Sequence, residues 1–419
     1  MKRPRIFYGY WIIVCCFILT ILMAGCGMLS FSFFVTSLES DLGWSRTQIM
    51  AAMTILLLAT AVSAPFAGRL IQRYGGRAVV FTGILFTCGG FVLLSQMSTL
   101  WHYYIAYALI GIGFATMGPV TVSFIMSLWF KRRRGTAIGV SSMGAGVSGL
   151  IFTPLVAVYL IPNFGWSNSY LIFAIVIACL AIPLSLLVLR TRPEDLGLLP
   201  DGAAAPEPNS SNDNKPTAVE GLPLKAALAT PAFWLIAIAV MLIHTHLGVM
   251  QNQVPHFQDL GFSQGVVAST ISIIAVVSIL SMLIFGWLCD RIPAKIASVI
   301  GTAILAIGIA ILITVDAESP SWILWLFAAM LGLGIGSWLP SLSILTSSSF
   351  GLVAYGVIFG IISFFQSVGA AAGPLFAGYL YDSMGTYFWA FIIILGIVVL
   401  AIPLILAVRR PVSYPLPKA

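Results

Sequence analysis

Gly68-Arg-Leu-Ile-Gln-Arg73 returns later in the chain as Gly286-Trp-Leu-Cys-Asp-Arg291. Working outward, Asp41-Leu-Gly-Trp-Ser45 returns as Asp259-Leu-Gly-Phe-Ser263. Trp101, Gly111, Gly113 and Pro119 return as Trp322, Gly332, Gly334 and Pro340. Pro154-Leu155, Ala157, Tyr159-Leu160 and Gly165 return as Pro374-Leu375, Ala377, Tyr379-Leu380 and Gly385. The offset stays between 218 and 221 residues. Any single match is weak, but an ordered series at a nearly constant offset marks an internal duplication.

The 419 residues are 60% hydrophobic and 8% charged, with a mean hydropathy of +1.04. Soluble domains are about 45–50% apolar and about 25% charged. That difference excludes a soluble enzyme, a disordered chain and a secreted disulfide scaffold. Apolar runs separated by polar or Gly/Pro breaks predict twelve helices, at 8–36, 47–68, 78–97, 102–128, 135–160, 169–190, 230–254, 264–288, 296–315, 321–346, 356–381 and 387–408. Each is near the roughly 20 residues that cross a bilayer, and runs of this length exclude barrel strands. The polar stretch 191–229 divides the helices six and six. The expected fold is therefore an all-α integral membrane protein, with twelve transmembrane helices in two pseudo-symmetric six-helix bundles. Residues 1–190 form the first bundle, 191–229 a flexible cytoplasmic linker, and 230–419 the second bundle with a short tail. A six-helix unit repeats in the same orientation, so the halves are related by an axis along the membrane normal.

The net charge of +7 follows the membrane and not a nucleic acid. Lys2, Arg3, Arg5, Arg69, Arg73, Arg77, Lys131–Arg134, Arg190, Arg192, Lys215, Lys225, Arg291, Lys295, Arg409, Arg410 and Lys418 all map to one edge, leaving Arg46 alone on the other. The positive-inside rule places that edge, and both termini, in the cytoplasm of a cell with a plasma (inner) membrane. Glu39, Asp41, Asp259, Asp316, Glu318 and Asp382 map to the outer edge, and no Lys, Arg, Asp or Glu is left for the middle of any helix. The basic start runs into an apolar stretch too long for a signal peptide. Five of the six cysteines lie in apolar runs with neither disulfide nor metal spacing, as small packing residues do.

The repeated motif resembles that of the major facilitator superfamily, G-x-L-A-D-R-x-G-R-[RK], and the resemblance covers nearly the whole chain. The first copy, Gly68-Arg-Leu-Ile-Gln-Arg-Tyr-Gly-Gly-Arg77, has Gln72 at the Asp position. The second, Gly286-Trp-Leu-Cys-Asp-Arg-Ile-Pro-Ala-Lys295, keeps Asp290 and Arg291. In the family this loop motif tethers helices across the cytoplasmic face. The resemblance therefore implies a conformational role for Gly68, Gln72, Arg73, Arg77, Gly286, Asp290 and Arg291, joined by Arg132 and Arg133 between helices 4 and 5. With Gln72 the first latch is expected to be the weaker one. Trp129-Phe-Lys-Arg-Arg-Arg-Gly-Thr-Ala-Ile-Gly-Val-Ser-Ser-Met-Gly144 looks like the helix 5 entry of the monocarboxylate porters, which are related to the oxalate/formate exchangers. Tyr8-Gly-Tyr-Trp11 looks like part of their helix 1 motif. Met282 stands where that branch carries a substrate-binding Arg.

By the resemblance, helices 1, 4, 7 and 10 line a solute cavity, helped by 2, 5, 8 and 11. The polar residues on them become the candidate substrate site: His244, His246, Gln251, Gln366, Trp338, Ser337, Ser142, Thr116, Ser278 and Ser281. An intramembrane ionisable group is a functional hypothesis by default, and histidine titrates near neutrality. His244 and His246 are thus the proton-coupling candidates, against the plainer reading of neutral histidines bonded to backbone carbonyls. Helical spacing sets His244, Gly248 and Gln251 on one face and His246, Met250 and Gln253 on another, so a two-histidine metal site is not expected. The serines and threonines also serve as interhelical glue.

No G-x-x-x-x-G-K-[ST] loop occurs, so the chain is not its own ATPase. The expected function is secondary active transport of a small organic solute by alternating access. The resemblance implies a monocarboxylate-type anion with or without a proton, carried by a monomer in the lipid bilayer, with no cofactor, no metal and no catalytic residue. The alternative is an exporter of hydrophobic or amphipathic compounds. A membrane enzyme or receptor would need a catalytic or metal cluster, which four histidines and no intramembrane acid do not supply.

Overall fold

A computed structural model describes residues 7–44, 46–202 and 221–409. Lys2, Arg3, Arg5, Lys215, Arg410 and Lys418 lie outside the described residues. Among the described residues, eleven helical stretches are long and apolar enough to cross a membrane. One of them, Arg134–Val188, has 55 residues, about 80 Å if straight, more than twice a hydrocarbon core of about 30 Å. It leaves helical geometry at Gly165 (φ 71°, ψ 175°) and so makes two crossings, giving twelve. In chain order they are α1 Gly9–Leu29, α2 Gln48–Tyr74, α3 Gly76–Ser95, α4 Leu100–Trp129, α5 134–164, α6 166–188, α7 Pro231–Asp259, α8 Gly265–Cys289, α9 Ala294–Ile313, α10 Ser321–Phe350, α11 Tyr355–Tyr381 and α12 Phe388–Ala407.

Local chemistry sets the boundaries. Thr230 caps α7 by accepting the Phe233 N–H at 3.4 Å, with Pro231 in the first turn, where a missing N–H costs no helical bond. Thr99 receives the His102 N–H at 3.5 Å ahead of α4. Large apolar side chains stand outward, with Phe66 64%, Val158 73% and Leu375 75% exposed. Water would not tolerate so many such faces, but lipid does.

The chain divides into two compact units. One contains the residues up to Gly221 together with Leu352–Gly360, the other Leu222–Gly351 and the residues from Ile361 onward. The same packing scheme appears inside each. In the first, α2 and α3 pack along α4, and α6 packs on α3. In the second, α8 and α9 pack along α10, and α12 packs on α9. Small residues let these helices approach closely. The first core centres on aromatics such as Phe34 stacked on Tyr170 at 4.2 Å; the second includes Phe257, Phe327 and Phe391.

Three local expectations are corrected. The motif residues Gly68–Arg73 form the last turns of α2 and not a loop, because nothing before Gly75 breaks the helix. The first helix is not uniformly α-helical: Met23–Leu29 is π-helical, followed by a separate helix, Phe31–Leu42. The described ends of the 191–229 stretch are also ordered. Thr191 Oγ1 accepts the Gly76 N–H at 2.8 Å, Asp201 Oδ2 accepts the N–H groups of Lys131 and Arg132 at 3.0 and 2.7 Å, and the Leu222 N–H donates to the Phe350 carbonyl at 2.8 Å. Composition reads such a segment as solvated and does not register side chains that cap another element's N–H groups.

Candidate functional site

α7 carries the most polar stretch and is not a regular helix. From Thr245 its bonds shorten to i→i−3: Thr245 N to Leu242 O 3.2 Å, His246 N to Ile243 O 3.1 Å, Gly248 N to Thr245 O 2.9 Å and Val249 N to His246 O 2.9 Å. This is 3₁₀ winding, in which residues i and i+2 stand about 120° apart around the axis, against about 160° in an α-helix. The imidazoles of His244 and His246 therefore come together, with ring centroids 5.7 Å apart. The rings are neighbours, yet at about 120° they still stand on different sides of the helix. The π-helical Met23–Leu29 lies at the corresponding place in the first sequence repeat, so the opening helix of each half departs from α geometry.

Both histidines are 4% exposed. His244 Nδ1 lies 2.8 Å from the Val240 carbonyl and His246 Nδ1 2.8 Å from that of Ile243. A carbonyl only accepts, so each Nδ1 is the protonated donor. His244 Nε2 is buried and has no hydrogen-bond partner among the described residues. The rings of His244 and Trp338 meet at right angles, with centroids 5.0 Å apart.

His244, Ser337 and Trp338 line a cavity inside the second unit, walled by α7, α9, α10 and α12. Ser298, Thr302 and Ser341 line it too and are absent from the sequence-based set. The signal that could have found them is polar residues four apart, Ser298 and Thr302 on α9 and Ser337 and Ser341 on α10. Gln253 also stands outside the sequence-based set. It is 3% exposed, its Nε2 donates to the Met250 carbonyl at 3.0 Å, and its Oε1 has no partner among the described residues.

The remaining candidates are dispersed. Gln251 is exposed and Gln366 half-buried. Ser281 Oγ donates across to the Leu333 carbonyl of α10 at 2.5 Å, joining α8 to α10. Ser278 donates to the carbonyls of Ile274 and Ala275 within α8. Thr116 and Ser142 belong to the first unit and donate to Gly113 at 2.8 Å and Ile138 at 2.6 Å. Among the motif residues, the Arg291 guanidinium lies 3.9 Å from the centroid of the Trp287 ring, within cation–π range. Arg73 lies 5.2 Å from that of Tyr74. Gln72 Nε2 is buried without a partner among the described residues, so the amide does not replace a carboxylate's pairing there. Arg77 and Arg133 are exposed, and Arg132 gives its N–H to Asp201. Among the described residues no group of three or more His, Cys, Asp and Glu is placed to hold a metal.

The sequence profile of the Major Facilitator Superfamily matches residues 15–257 and 250–419. The chain is similar to monocarboxylate transporter 13 of Bos taurus, 24% identical over 392 residues that cover 92% of this chain and 86% of that protein. It is also similar to monocarboxylate transporter 11 of Mus musculus, 29% identical over 364 residues that cover 83% and 75%. Among solved structures, the transporter FucP in the outward conformation superposes with a TM-score of 0.72 at 12% identity, covering 95% of this chain and 99% of that one. The proton:xylose symporter XylE gives 0.70 at 14% identity, covering 96% of each. At these identities the two structures speak for the fold alone.

Proposed function

The chain belongs to the Major Facilitator Superfamily, and from that premise we propose that it carries a small monocarboxylate-type anion together with a proton, by alternating access. It is a multi-pass membrane transporter and not an enzyme. We place it, as a monomer, in the plasma (inner) membrane with both termini cytoplasmic.

One observation carries the proton: the buried His244 ring, whose Nε2 is unpartnered, in a membrane interior to which the sequence assigns no Lys, Arg, Asp or Glu. An anion crossing such an interior alone would be an uncompensated charge in a low dielectric. Moving with a proton, it crosses without net charge. The relatives named as monocarboxylate transporters support the solute class. The polar residues of α4, α5, α7, α8, α10 and α11 are the proposed contacts for it, and the paired motifs at the ends of α2 and α8 the proposed conformational latches.

The test is uptake of labelled lactate-like acids into proteoliposomes, with and without an imposed proton gradient. The wild type should respond to the gradient, and His244→Gln should not. Unchanged pH dependence in His244→Gln would remove His244 from the mechanism. Thermal stabilisation by hydrophobic drugs but by no acid would instead favour an exporter of amphipathic compounds.

A further inference from the structure

The cavity beside His244 has a chemical character that the transport reading does not use. Its volume is about 40 Å³, room for a small number of waters. Apart from the Trp338 indole N–H, most of its polar lining presents acceptors. Ser298 Oγ donates to the Ala294 carbonyl at 2.9 Å, Thr302 Oγ1 to Ser298 at 2.8 Å and Ser337 Oγ to Gly334 at 2.6 Å. Each hydroxyl spends its only hydrogen on its own helix and turns lone pairs outward. His244 spends its Nδ1 hydrogen on Val240 and leaves Nε2 as a further acceptor. Water and hydronium bring the donors that these four acceptors call for.

The acceptors are also ordered in depth. Ser298 lies in the first turns of α9, at the basic edge, and Thr302 one turn deeper. On α10, Ser337 lies one turn deeper than Ser341, and Ser341 Oγ is 3.5 Å from Sγ of Cys289, the last residue of α8. The ladder runs from the basic edge to Nε2 in mid-helix.

We infer that this cavity is a binding site for water and hydronium that loads His244 from the basic edge. In the loading step an O–H bond of a cavity hydronium breaks and an N–H bond forms at Nε2. The hydronium is left as water and the imidazole as imidazolium; release is the reverse. Few charges act on the ring. His246 lies beside it on α7, α8 brings Cys289 and then Asp290, and α9 brings Lys295, whose Nζ donates to the Leu406 and Val408 carbonyls at 3.1 and 3.3 Å. α10, α11 and α12 bring no Asp, Glu, Lys, Arg or Cys to the turns packed against it.

The inference rests on the proton-coupled reading, and the experiment separates the two. X-ray radiolytic footprinting in nanodiscs oxidises side chains next to bound water. His244 and His246 are equally buried, and only His244 lines the cavity. Wild-type His244 should oxidise several times faster than His246, and in S298A/T302V/S341A the two rates should converge. The same variant should lower the ratio of proton-driven uptake to counterflow by about tenfold or more. Equal rates in the wild type, or rates unmoved by the variant, would overturn the site. If proton-driven uptake survives in the triple variant while His244→Gln abolishes it, the route is overturned and the role of His244 stands. If His244→Gln changes nothing, that role itself falls, whatever the footprint shows.

Discussion

Gly301 of α9 lies directly against the hydroxymethyl group of Ser337 in α10, so close that a Cβ on Gly301 would occupy the place of Ser337 Oγ. Gly83 of α3 stands in the same relation to Thr116 Oγ1 in α4. The duplication therefore preserves a packing device as well as a helix order: a hydroxyl bonded to its own helix seated in the notch of a facing glycine. Overfilling such a contact costs about 1–3 kcal/mol. Gly301→Ala should lower the thermal unfolding midpoint in detergent, and Ser337→Gly in the same chain should restore most of the loss. No rescue would mean that the strain lies elsewhere.

The crossing of α2 with the start of α11 is tighter still. A Cβ on Gly68 would run into the Gly356 carbonyl, and one on Gly356 would come within 2.6 Å of the Gly68 carbonyl. Both obstacles are backbone, which cannot rotate aside. Gly360 meets the Ala64 carbonyl in the same way at 2.6 Å. Gly68→Ala should therefore cost about 1–3 kcal/mol or more and slow transport. Gly89→Ala, at a position with open space around it, should do neither. A Gly68→Ala protein with wild-type midpoint and rate would contradict the crossing.

Hydrophobic run length and its breaks are enough to locate the twelve helices, and the repeat is visible in residues such as Gly68 and Gly286. Those signals survive because each depends on one-dimensional features, span length and breaks. The pairing of His244 with His246 was not visible, because it depends on a local change from α to 3₁₀ winding that propensity does not encode. Ser298 and Thr302 escape a sequence reading because they lie on α9, outside the helices that the resemblance assigns to a solute cavity. Ser281 Oγ donates to the Leu333 carbonyl, a bond between helices that no spacing rule distinguishes from solute binding.

Asp201 offers a test of the ordered linker end. Its Oδ2 holds the N–H groups of Lys131 and Arg132, and its backbone sits at φ 59°, where Asn is tolerated better than Ala. Asp201→Ala should free the 131–134 segment and speed tryptic cleavage there about fivefold, equivalent to about 1 kcal/mol. Asp201→Asn, which keeps the backbone conformation and one acceptor oxygen, should fall between that variant and the wild type. Equal cleavage in all three would show that the carboxylate does not hold the loop.

The two histidines should separate in their pH response even though their rings are 5.7 Å apart. With the proton as co-substrate, uptake at a fixed anion concentration rises as pH falls on the side from which the proton enters. Its logarithm changes by at most about one per pH unit when a single proton is carried. His244→Gln keeps a donor for the Val240 carbonyl but offers no titratable nitrogen to the cavity, so initial rates between about pH 5.5 and 8 should become flat. His246→Gln leaves Nε2 of His244 and the cavity lining in place and should keep the wild-type slope at a reduced rate. Matching slopes in the two variants, flat or steep, would mean that the imidazoles act as a pair and not through the one that lines the cavity.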